Sequence, residues 1–92
     1  MAGFPPSDPS DALMMDIAND IGVEWEQLAT YLNFTTAEIG RLKMDHPHSA
    51  QTRTFNMLVT WRGRQDNSVN KRQVLRQALT DVGLQMVADT HL

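Results

Sequence analysis

Apolar residues in this chain recur three and four positions apart, in six short runs divided by residues that start or stop helices, and nowhere alternate with polar ones over the length of a strand. That pattern predicts an all-α fold. At 92 residues the chain can fill one core and not two, because a single core ordinarily serves about 100 to 150 residues. It contains no cysteine, which excludes disulfides and thiolate zinc sites and leaves packing to hold the domain together.

Phe4 to Pro9 reads as the end of a flexible arm over residues 1–8, with residues 9–92 as the folded domain. Asp8, Pro9 and Asp11 supply a cap, a first-turn proline and an early acid for helix one, about residues 9–21. Leu13, Ile17 and Ile21, with Met14 and Ala18 beside them, form its apolar stripe, and Gly22 is expected to end it in left-handed geometry. Helix two, about Glu24 to Leu32, turns Trp25, Leu28, Ala29 and Leu32 inward. Thr35 to Glu38 has the form of a capping box, opening a third helix that buries Ile39 and Leu42 and ends near Met44. His46-Pro47 breaks the pattern, and Ser49 caps a fourth helix running to about Gly63, with Phe55, Leu58, Val59 and Trp61 inside and Arg53, Thr60 and Arg62 facing out. Asn70 caps a fifth, with Val74, Leu75, Ala78, Leu79 and Val82 inside and Gly83 as its stop. Leu84, Val87 and Ala88 make a short sixth.

The chain offers no assembled chemistry. It has neither a glycine-rich phosphate loop nor a nucleophile paired with a base, and His46 and His48 beside a proline lack the further ligands zinc requires. Acids on early helical turns are favoured there by the helix dipole without any catalytic role. No enzyme, metal, cofactor or small-molecule substrate is therefore expected. No apolar run approaches the roughly 20 residues that span a bilayer, and Met1 to Ser10 lacks the basic and apolar regions of a secretory leader. The expected setting is the cytoplasm, without membrane insertion.

Charge is what the sequence distributes unevenly. Residues 1–38 carry −7 and residues 39–92 carry +4. If that division persists in space, one acidic flank and one basic flank steer charged partners to complementary patches. The acidic candidates are Asp16, Asp20, Glu24 and Glu26; the basic ones are Arg41, Lys43, Arg62, Arg64 and Arg72. A patch of one kind meeting a patch of the other gives a head-to-tail contact.

Two families share parts of this pattern. Ala29, Asn33 and Ile39 resemble the spacing of a helix-turn-helix, in which helix three would read DNA through Arg41 and Lys43, with Arg62, Arg64, Lys71, Arg72 and Arg76 against phosphates. An acidic chain, of pI near 5.4, repels DNA from half its surface, so nucleic acid is not the expected partner. Trp25, Leu28-Ala29, Leu32, Glu38-Ile39, Met57-Leu58, Trp61, Val74-Leu75, Ala78-Leu79, Gly83 and Val87-Ala88 together resemble the death domain over nearly the whole chain. Lys43 to Gln51 and Trp61-Arg62 are most similar to caspase-recruiting adaptors, with ankyrins and the Fas-associated adaptor also similar. The resemblance implies a six-helix antiparallel bundle of Greek-key topology. It further implies a non-enzymatic adaptor that binds other death-domain proteins in apoptotic or inflammatory signalling, or else a module of a cytoskeletal scaffold that builds no signalling assembly.

Overall fold

Four of the helices in the described residues begin where a side chain accepts from an otherwise unpaired backbone amide. A computed structural model of the chain describes residues 9–92, and among these it has six helices and no strand. They are α1 (Asp11–Asn19), α2 (Trp25–Tyr31), α3 (Thr36–Asp45), α4 (Ala50–Arg64), α5 (Lys71–Asp81) and α6 (Gln85–His91). The expected arm and its capping Asp8 lie outside the described residues. The cap within them is Ser10, whose Oγ accepts from the Leu13 amide at 3.1 Å. Thr35 and Glu38 form the reciprocal capping box, with bonds of 3.2 and 2.9 Å. Ser49 and Asn70 cap α4 and α5 as their side-chain types require.

Helix ends follow sequence less simply. Gly83, at φ +86°, closes α5: its amide bonds Thr80 and the Leu84 amide bonds Leu79, satisfying two terminal carbonyls. Asn33, at φ +72°, does the same for α2 through Thr30 and Ala29. Gly22 does not. Helix α1 stops at Asn19, and the left-handed geometry expected at Gly22 is absent because the Asp20 and Ile21 amides already bond Ile17 and Ala18. Gly22 instead donates its amide to Glu24 Oε1 at 3.1 Å, while Ile21 is buried from outside the helix.

Helix α1 packs most extensively on α4, and α5 on α6; α3 lies on α4, α1 also meets α6, and α2 sits between α3 and α5. One apolar cluster runs through all six. It holds the expected Ile17, Ile21, Trp25, Leu28, Leu32, Ile39, Leu58, Trp61, Leu75 and Leu79. Leu13, Leu42, Phe55 and Val87 pack against it half-buried, at the edges of their stripes. Met14 and Met57 are fully buried, and Phe34 reaches the core from the α2–α3 turn. Val74, read as core, is 38% exposed, since the inward face of α5 is centred on Leu75 and Leu79. Lys71, read as a surface cation, is only 3% exposed: it lies four residues before Leu75 on that inward face.

Candidate functional site

The surface charges were expected to separate into two flanks, and folding brings them together instead. Glu26 of α2 pairs with Lys43 of α3 at 3.0 Å. Arg62, near the end of α4, pairs with Asp11 and donates from Nη1 to the Pro9 carbonyl at 3.0 Å, so it turns back on α1 and does not face out. Arg64 pairs with Glu38 while its guanidinium lies 4.5 Å from the centre of the Phe34 ring. Asp20 meets His91 of α6 at 2.5 Å. Glu24 accepts from the Gly22 amide.

Three of the nine candidates remain with neither an ion pair nor a side-chain hydrogen bond among the described residues: Asp16 on α1, Arg41 on α3 and Arg72 on α5. They occupy three different helices. Arg41 lines a shallow groove of about 220 Å³ between α3 and α4, shared with Phe34, Leu42, Asp45 and the Glu38–Arg64 pair. The arginine hydrogen bond, followed by the Thr35 amide, holds the Glu38 carboxyl below the usual carboxylate range. The pairs themselves are half exposed, and such pairs contribute only about 0 to 1 kcal/mol. They can exchange partners at small cost.

A second groove, of about 560 Å³, runs from Pro9 and Ser10 past Arg62 and Gln65 to Lys71. Among the described residues no group of three or more metal-binding side chains gathers, and no helix is long and apolar enough to cross a membrane.

Arg53 was missed by sequence reasoning. Expected to face out, it is half-buried, with its guanidinium 5.5 Å from the centre of the Trp25 ring and its Nε buried without an acceptor among the described residues. No periodicity signals this, because Arg53 on α4 and Trp25 on α2 are far apart in the chain and meet only in the folded domain.

The family model described as Death domain matches residues 11–90. Ankyrin-3 of Mus musculus is 31% identical over 61 residues, which is 66% of this chain and 3% of that protein. Ankyrin-3 of Rattus norvegicus and of Homo sapiens are each 32% identical over 56 residues, 61% of this chain and 2% and 1% of those proteins. The chain thus spans only a small part of the relatives it matches.

Proposed function

The chain belongs to the death-domain family, whose members are non-enzymatic protein-interaction modules, and from that premise we infer that it docks head to tail on other death-domain proteins as a cytoplasmic adaptor in apoptotic or inflammatory signalling. The observation that carries this reading is the family match over residues 11–90 together with the six-helix bundle. Its contact centres are Asp16, Arg41 and Arg72, which have no ion pair among the described residues to give up. Asp20, Glu26, Lys43, Arg62 and Arg64, which have charged or titratable partners, and Glu24, which accepts from the Gly22 amide, supply the surrounding field. Because acid and base stand on different helices, a contact between them is heterologous.

Binding to a panel of purified death domains tests the reading. Arg41→Glu with Arg72→Glu is expected to weaken binding roughly tenfold or more, the effect of reversing rim charges at a steered contact, with circular dichroism unchanged. Failure of the wild-type chain to bind any member would overturn the docking reading; undiminished binding by the variant would overturn the choice of residues.

The similarity to ankyrin-3 favours a second reading, a death domain of a cytoskeletal scaffold that forms no signalling assembly. Complexes that never exceed a one-to-one pair at high concentration would support it. Retention on random duplex DNA, lost on Arg41→Ala with Lys43→Ala, would overturn both in favour of nucleic-acid binding.

A further inference from the structure

Ser10 stands between the two residues that Arg62 holds. Arg62 donates from Nη1 to the Pro9 carbonyl at 3.0 Å and from Nη2 to the Asp11 carboxylate at 2.5 Å, so one guanidinium spans the serine from neighbour to neighbour. Ser10 itself is exposed and in extended backbone, at φ −77° and ψ 166°. Among the described residues its Oγ is engaged only as an acceptor, from the Leu13 amide at 3.1 Å.

The same serine lines the groove of about 560 Å³ that runs to α5. That lining adds Lys71 of α5 to Arg62 of α4 and, among the described residues, includes no carboxylate. Lys71 is only 3% exposed, and salt screens so buried a charge little. Gln65 and Asn67 bring neutral amides to the same groove. Two cations from distant parts of the chain thus share a cavity with one exposed hydroxyl. The sequence around that hydroxyl is acidic, with Asp8 two residues before, Asp11 one after and no Lys or Arg ahead of Arg41. A protein kinase with a basic substrate groove suits such a segment.

We propose that Ser10 is a phosphorylation site for an acid-directed protein kinase, and that its phosphate is held in this groove by Arg62 and Lys71. In the modifying step the serine Oγ attacks the γ-phosphorus of a nucleoside triphosphate bound to the kinase. The bond from that phosphorus to the β–γ bridging oxygen breaks, the diphosphate leaves, and the hydroxyl proton passes to the kinase's base. The product carries about −2 charge and three strong acceptor oxygens. Arg62 can then exchange the carboxylate of Asp11, 69% exposed, for a dianion. Asp11, Arg62 and Lys71 together carry one net positive charge, and the phosphate turns this into about one net negative charge. Modification therefore ties the start of α1 to α4 and α5 while reversing the sign of that face. It does so whichever partner the domain binds.

The full chain with phosphoserine installed at Ser10 during translation tests the acceptor groove. Its melting temperature is expected to exceed that of the unmodified chain by about 4 to 8 °C, the size of shift that one added charge-assisted contact gives a domain of this length. Arg62→Gln, measured with and without the phosphate, should lose most of that gain, and Arg62→Lys should keep part of it. In phosphorus NMR the second ionisation of the phosphate should fall below its ordinary value of about 6, because the cations favour the dianion. It should return toward that value in Arg62→Gln. Should Arg62→Gln fail to fold, the same titration of the folded and the urea-unfolded wild type decides, and coincident midpoints would overturn the proposal. Incubation of the wild type with a purified acid-directed kinase and magnesium ATP should place a phosphate on Ser10, mapped by mass spectrometry and absent in Ser10→Ala. A phosphorylated chain that melts no higher, a gain that Arg62→Gln keeps in full, or a Ser10 that the kinase leaves unmodified would each overturn it as well.

Discussion

Glu38 serves two neighbours at once: it closes the capping box that starts α3 and receives Arg64 from α4. Both interactions favour its charged form and lower its pKa in the folded chain. Its contribution to stability is therefore present above the ordinary carboxylate range and is lost as pH falls through the lowered folded value. Melting temperatures of wild type and Glu38→Gln should differ at neutral pH and converge in strong acid; a gap independent of pH would show that the charge is idle. Thr54 poses the opposite case, since its Oγ1 is buried without a partner among the described residues. Thr54→Val removes that unsatisfied hydroxyl at nearly constant shape and should raise stability by about 1 kcal/mol in denaturant titration. A loss of stability would mean that the hydroxyl is bonded in solution. Gly83 is tied to its conformation: a Cβ there meets nothing within 4 Å, so Gly83→Ala should cost about 1 kcal/mol through φ alone.

Within elements, the signals that reside in neighbouring residues were legible. Thr35, Ser49 and Asn70 accept where their side-chain types place them, because a cap needs only an oxygen within three residues of the amide it serves. Ser49→Ala should therefore cost about 1 kcal/mol; Ser68→Ala, in the α4–α5 turn, provides the comparison and should cost much less. The inward face of α5 was legible in period but misread at both edges. Its true stripe is Lys71, Leu75, Ala78, Leu79 and Val82, and residue type pulled Lys71 outward and Val74 inward against the geometry. Leu75→Ala should cost about 2 to 5 kcal/mol, as deletion of a fully buried leucine does, whereas Val74→Ala should cost under about 0.5 kcal/mol. Comparable losses at the two positions would return Val74 to the core.

Across the whole molecule, packing α1 on α4 and α2 on α3 lays the acidic half of the chain over the basic half. Asp11–Arg62, Glu26–Lys43, Glu38–Arg64 and Asp20–His91 all join one half to the other. The field available to a partner is smaller than charges of −7 and +4 suggest. Association with a death-domain partner should still weaken severalfold between about 0.05 and 0.5 M salt, as screening between exposed charges shortens. Insensitivity to salt would assign the contact to apolar side chains alone.

The sequence by itself determined six helices, most of their starts and the centre of the core, because each depends on a side chain acting within a turn or two of its own backbone. Tertiary structure decided how far the charges survive as patches, where α1 ends and what Arg53 touches. Those outcomes depend on which helices lie side by side, and that is set by burying all six apolar faces together, a condition no single stretch of chain contains.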